Sequence, residues 1–480
     1  MKINSFLLFF LLLISNSYSQ DYASMFSVGI KNKDVVVFQA INKKSNETTM
    51  FLADNKRINA VLLNERLAFK DSLSSKTPDE IYKNIVGYSI ADKKTTLFWA
   101  NEDFSSFFLH SFDFVNRTNE NKTFPFDVEK EDIIQFFSEN ENFYILSYVK
   151  SKEQLKFTVF NDKSETNEIF LDVKQLNSYT LNLLVTTKLT GEKDNTLRLE
   201  KIATDIPVFF TESLKKNKCY STENNIVITF DSSFLKTLMI VIDLKTFKVE
   251  EKIITKISTI DGMATTYSNS FVLDDRIVQV AGTTKAMSIS IKVFNDTLIK
   301  EYNSKTNPEI FDAITFYEES VIGSATSIPK KESFFNKMDN KIFGFSCYKT
   351  NENIVFSIGK PIPLVDKDSQ YSNYAMFGGM LGGAIGSLAG SIIDYAISNN
   401  SYRSFENSMA NGRMYFNFWM DLDYNTIPMK NRDLAFEKMR KSLKNQKIES
   451  GQTIFKVNST LYFGFYNFKE KRYFIKKFVD

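Results

Sequence analysis

The chain has 480 residues, with 60 Lys and Arg against 57 Asp and Glu, 46 Phe, 21 Tyr, eight prolines, one histidine and two cysteines. Such a length can bury a sizeable core, as two or three ordinary domains or as one large repeat fold. A formal net charge of +3 makes no case for nucleic-acid binding, two cysteines build no disulfide framework, and one histidine with two cysteines excludes a His/Cys metal cluster, so neither metal nor cofactor is expected.

The first residues, "MKINSFLLFFLLLISNSYSQ", carry one lysine, an uncharged apolar run from Phe6 to Ile14, and small residues at Ser17 and Ser19. This pattern predicts a signal peptide over residues 1–19, cleaved after Ser19 and too short to span a bilayer. No cysteine follows in lipid-attachment position, so an exported chain without a lipid anchor is expected. Its place would be the periplasm, the cell envelope or the medium, with membrane association left open.

The next segments are short, alternating and aromatic. "CYSTENNIVITF" from Cys219 and "CYKTNENIVFSI" from Cys347 agree at six of twelve positions without a gap, and "SENENFYILSY", ending at Tyr148, is a third copy. Aligned before the apolar run, they anchor at Asn142, Asn225 and Asn353, spaced by 83 and 128 residues, or about two and three units of 42. Each anchor should precede a strand whose partner closes on Asp or Asn. Asn142 leads to Asn161, Asn225 to Asp243, Arg276 to Asn295, Thr96 to Asp113, Asp34 to Asp54 and Thr460 to Asp480, at offsets of 17 to 20. Strand, turn and strand at this period predict a mainly β fold, a β-propeller-like repeat of about six to eight blades, across residues 20–363. Cys219 and Cys347 then occupy equivalent positions in non-adjacent blades and should be separate buried thiols. Residues 303–340, with "NPEIFDAI" and "SIPKKESFFNKMDNK", break the pattern and read as a loop or a decorated connection.

After Asn353 the partner strand is late. "MYFNFWMD" ends at Asp421, 68 residues on, so about 49 residues, 364–412, read as a glycine-rich helical insertion. Gly378, Gly382, Gly386 and Gly390 repeat every four residues, with Gly379 and Gly383 widening the same face, in a run uncharged from Tyr374 to Ile393. Small residues at this spacing let helices approach closely, and the segment resembles the motif called a glycine zipper, found in membrane-associated helices. The resemblance covers these residues alone, and it implies helix packing, self-association or membrane contact through residues 374–393. If the propeller resumes at "MYFNFWMD", both ends of the insertion leave one blade edge, and the segment folds back, lies on a surface or packs as a core helix. Alternatively the propeller ends near residue 360, the run spans a membrane once, and a small basic domain follows, since residues 400–480 hold 15 Lys and Arg against 8 Asp and Glu.

Residues 413–480 read as closing strands with one amphipathic helix in "RDLAFEKMRKSLKN", which places Leu434, Phe436, Met439 and Leu443 near one face, or as a separate small α+β domain. The last blade is a strand short, and "SMFSVGI" near the N-terminus is the segment that would supply it.

No catalytic constellation emerges. His110 shares a strand face with Phe108 and Phe112 and has no nucleophile motif beside it. Asp274 with Asp275, and Asp421 with Asp423, are acids in turns before they are a glycosidase pair, and Trp99 and Trp419 are core or rim aromatics. The expectation is an exported cell-envelope β-propeller that binds or scaffolds a protein or glycan ligand and is not an enzyme. The other readings are a single-span, membrane-anchored sensor-type protein, and a carboxylate-dependent hydrolase at the propeller mouth.

Overall fold

The structure, a computed structural model, describes residues 22–30, 35–161, 166–189, 197–204, 206–320, 325–362, 412–428, 434–444 and 450–480. Among them the strands assemble into seven sheets of four or five strands, beside one two-stranded hairpin. Blade 1 comprises Val36–Ile41, Thr48–Ala53, Arg57–Leu63 and Phe69–Lys76, paired in chain order. Blade 2 comprises Asn84–Ala91, Lys94–Ala100, Ser106–Asp113 and Thr118–Pro125. Blade 3 comprises Glu131–Glu139, Asn142–Val149, Gln154–Phe160 and Thr166–Phe170. Blade 4 comprises Asn217–Ser221, Asn225–Phe230, Lys236–Asp243 and Val249–Thr255, with Glu200–Ile202 added in parallel to the first strand. Blade 5 comprises Tyr267–Leu273, Arg276–Gly282, Met287–Val293 and Leu298–Asn303.

The middle strands are buried on both faces, which is why they read as near-continuous apolar runs such as "IVITF" and "LMIVID". The fourth strands are the solvent side: Thr118–Pro125 has no buried residue and Phe69–Lys76 has one. The anchor residues fall at the starts of second strands, as Asn142, Asn225, Arg276, Asn353 and Thr460 do. The acids that close the third strands cap the turns that follow them. Asp243 Oδ1 accepts from the Lys245 and Thr246 amides, Asp113 Oδ1 from those of Val115 and Asn116, and Asp421 Oδ1 from those of Asp423 and Asn425.

Blade 1 departs from the expected register. Asp54 closes the second strand, not the third, because its carboxylate caps the same kind of turn, onto the Lys56 and Arg57 amides, in the preceding connection. The expected anchor Asp34 is therefore one strand early, and it lies outside the described residues.

Blade 6 corrects two expectations. Its order is Ala325–Ile328, Phe316–Glu319, Gly412–Asp421, Asn353–Ile362 and Gly344–Lys349, so residues 303–340 hold its two outer strands rather than a loop. The chain needs them there because after Asp421 it runs on to a helix, Ala435–Lys444, instead of returning as a fourth strand. Ile362 pairs with Gly412, and Asn353 with Asp421, in one antiparallel register. Strands on both sides of residues 363–411 thus belong to one sheet, which overturns the single membrane span: a chain that crossed once would leave these partners on opposite sides.

Blade 7 is Thr453–Val457, Thr460–Asn467, Arg472–Phe478 and, as its outermost strand, Tyr22–Ser27. Met25 pairs with Phe474 and Ser27 with Arg472, so the two ends of the chain close one sheet. Residues 413–480 accordingly supply one strand of blade 6, three strands of blade 7 and the helix between them.

Apolar clusters run between successive blades. One joins blades 7 and 1 through Phe455, Tyr473, Met50 and Val61, and others join blades 1 and 2, 2 and 3, and 3 and 4. The largest links blades 4, 5 and 6. Between blades 6 and 7 lies the Ala435–Lys444 helix, whose Ala435, Met439 and Leu443 pack with Ile454, Leu461 and Phe463 of blade 7.

Candidate functional site

Blade 6 has two unlike faces. Phe345, Cys347, Phe356, Phe416 and Phe418 turn toward blade 5 and join the large core. Alternation sends Ser346, Tyr348, Ser357, Arg413, Tyr415 and Asn417 to the other side, where they line a narrow cleft against Phe209, Phe210 and Phe436. Ser357 Oγ and Asn417 Oδ1 lie 2.7 Å apart across adjacent strands. Tyr415 stacks on Tyr317 at 5.5 Å and beneath the Arg413 guanidinium at 4.1 Å. Burial raises the Tyr415 hydroxyl above its ordinary range, and the nearby Arg413 charge opposes that rise.

An ion network ties the rim of this cleft together. Glu319, on an outer strand of blade 6, accepts from Arg413 Nε at 2.8 Å and from Arg440 Nη2 of the helix at 2.6 Å. Glu437 lies 3.5 Å from Arg413 and 3.6 Å from Arg440. Two guanidiniums and two carboxylates balance in charge, and Glu319, Arg413 and Arg440 are each no more than 7% exposed. Arg413 follows Gly412 directly, so the residues that leave and re-enter blade 6 around positions 363–411 stand on a clamped base.

The segment before blade 4 crosses the inner edges of its neighbours. Ser213 Oγ donates to the Phe345 carbonyl and accepts from the Phe345 amide, on the first strand of blade 6. Asn269 Nδ2, on the first strand of blade 5, donates to the Ser213 and Phe343 carbonyls at 2.7 and 2.9 Å. Phe209 meets Phe436 with ring centroids 3.9 Å apart. Residues 206–216 thus pack along the first strands of blades 5 and 6. Gly344 permits this, because a Cβ there would stand 2.2 Å from the Phe210 carbonyl oxygen.

Gly378, Gly379, Gly382, Gly383, Gly386 and Gly390 lie outside the described residues, as do residues 1–19. No helix among the described residues is long and apolar enough to cross a membrane. His110 is fully buried between Phe108, at 5.7 Å, and Phe112, at 4.4 Å, and burial pulls its imidazole down to about 4. Cys219 and Cys347 are free, buried and on the first strands of blades 4 and 6, with burial raising both thiols. Asp274 reaches Lys349 at 2.6 Å, and Asp421 caps its own turn. Trp99 and Trp419 are buried. The Glu319 network went unanticipated, since its members are 94 and 121 residues apart in sequence and none stands in a recognisable motif.

No protein-family model matches the chain, and no curated protein matches it. Among solved structures, the fission yeast SREBP–SCAP binding domains are similar at 9% identity and a TM-score of 0.32, over 70% of this chain and 72% of that one. The Dos1 propeller is similar at 11% identity and 0.29, over 68% and 64%. A candidate exported protein from Bacteroides fragilis is similar at 10% and 0.26, over 84% and 96%. Likeness at this level assigns no activity. It is the chain's own strand pairing that places it, as a mainly β, propeller-like repeat of seven blades.

Proposed function

We propose that the protein is an exported cell-envelope scaffold without catalytic activity, whose propeller binds a protein or glycan ligand and whose residues 374–393 serve helix packing or membrane contact. The observation that carries this reading is the direct pairing of Ile362 with Gly412. The five described strands of blade 6 pair directly with one another, and residues 363–411 are read as serving contact with something outside that sheet. The polar, aromatic cleft of blade 6, which includes Arg413 beside Gly412, supports a binding surface on that blade. Uncharged runs with small residues four apart suit close helix packing or lipid and are poor helices in water, at a cost of about 1 kcal/mol per glycine.

The test is alkaline carbonate extraction of membranes from cells making the full chain or a version lacking residues 373–398, with sizing of the soluble fraction. Retention or self-association that depends on the segment supports the reading. A full chain that is released, monomeric and indistinguishable from the shortened one overturns it.

A further inference from the structure

Where blade 4 meets blade 5, three lysines surround one carboxylate. Lys218 Nζ donates to Asp231 Oδ2 at 3.0 Å, to Asn269 Oδ1 at 2.6 Å and to the Lys215 carbonyl at 3.1 Å. Lys256 Nζ lies 3.0 Å from Asp231 Oδ1 and donates to the Asp231 and Ser233 carbonyls at 3.1 and 2.9 Å. Asp231 also accepts from Thr237 Oγ1 at 2.7 Å and from Ser270 Oγ at 2.5 Å. A carboxylate offers about four acceptor sites, so that of Asp231 is fully used. Both of its lysine partners have all the acceptors an ammonium needs.

Lys216 is left over. Its Nζ donates to the Ser268 carbonyl at 2.6 Å and forms no ion pair among the described residues. The charges acting on it are the Lys218 and Lys256 ammoniums and the already saturated Asp231, beside the neutral Ser268 of blade 5, while the neighbouring Lys215 pairs with Glu200 at 2.9 Å. A desolvated amine beside two cations and without a counter-ion of its own is more stable neutral, with its lone pair free. Burial first, and then the Lys218 charge, pull this amine down to about 7. Lys218 and Lys256 are sealed in the core, whereas Lys216 as a residue keeps partial exposure.

We propose that Lys216 is a nucleophilic amine and a modification site for small carbonyl compounds. The Nζ lone pair attacks the carbonyl carbon, forming C–N as the C=O π pair moves to oxygen, which takes a proton. The carbinolamine then loses its oxygen as water, leaving a C=N bond to Lys216. This inference is independent of the proposed binding role.

The test is reductive methylation of the full folded protein at pH 7 with 13C-formaldehyde, the imine being reduced by hydride from added cyanoborohydride, and the products read by peptide mass spectrometry and 13C NMR. Lys216 should be modified about ten-fold faster than the exposed Lys122 and Lys245, and its methyl resonance should titrate below the ordinary lysine range. Lys216→Arg, with an unchanged circular dichroism spectrum, should remove the fast component alone. Labelling of Lys216 no faster than of Lys122 and Lys245, or only after unfolding, overturns the proposal.

Discussion

Gly412 stands opposite Ile362 at the end of a ten-pair antiparallel register, although residues 363–411 intervene in sequence. The two strands need only a turn between them. Replacing residues 363–411 by a two-residue Asn-Gly turn should therefore leave the far-ultraviolet circular dichroism of the β-fold intact and move the unfolding midpoint by no more than a few degrees, since closing a shorter loop differs by only about 0.6 kcal/mol per doubling. Loss of cooperative unfolding in that variant would show that the insertion is part of the core.

Glu319 accepts from both Arg413 and Arg440 at 2.8 and 2.6 Å, in a network where all three side chains are almost wholly buried. Glu319→Ala leaves two guanidiniums facing one remaining carboxylate, Glu437, at 3.5 Å or more. Removing one partner of a buried pair typically costs roughly 3–5 kcal/mol, because the charges left behind are not rehydrated. Urea unfolding should show a lower midpoint at an unchanged slope, and an effect below about 1 kcal/mol would mean that water already reaches the network.

His110 gives the fold a pH dependence whose sign can be worked out. Its folded value, about 4, lies below the ordinary histidine value, so the unfolded chain binds the proton more tightly. The stability tied to the neutral imidazole is complete above about pH 6.5 and drains away as pH falls toward 4. His110→Phe, flanked by Phe108 and Phe112, should be near neutral in stability at pH 7 and flatten the fall between pH 6.5 and 4.5 by up to about 3 kcal/mol. An identical acid limb in wild type and variant would place the sensitivity in other groups.

Two glycines separate close approach from mere flexibility. An added methyl at Gly344 meets the Phe210 carbonyl at 2.2 Å, whereas one at Gly29 has nothing within 4 Å. Gly344→Ala should cost roughly 1–3 kcal/mol and loosen residues 206–216. Gly29→Ala should change stability by less than about 1 kcal/mol, in the stabilising direction, since it narrows the unfolded ensemble. Hydrogen exchange at the Phe345 amide, which donates to Ser213 Oγ, reports whether the crossing segment has come loose.

The blade repeat was legible because it is written in local chemistry. Asn and Asp at strand ends set the turns, apolar runs of five to eight residues make strands buried on both faces, and Cys219 and Cys347 mark the same place in two blades. The supply of an outer strand for blade 7 from the N-terminus was also within reach, because a three-stranded remainder at one end and a lone alternating strand at the other need each other. Asp34 misled because Asp54 caps a turn by the same mechanism one connection earlier. Residues 303–340 misled because Phe316–Glu319 takes as its partner Gly412–Asp421, across a separation that no local pattern reports.

Composition, turn residues and strand periodicity by themselves determined a mainly β chain of repeated four-stranded units, with separate buried thiols and an interruption between the strands beginning at Asn353 and ending at Asp421. Tertiary structure alone decided which strands complete blade 6, that residues 206–216 pack along the first strands of blades 5 and 6, and that Glu319, Arg413 and Arg440 meet. The reason is physical. Turns and alternation depend on neighbours a few residues apart, whereas edge pairing, crossing segments and buried charge balance depend on which distant surfaces the packed blades bring within hydrogen-bond reach.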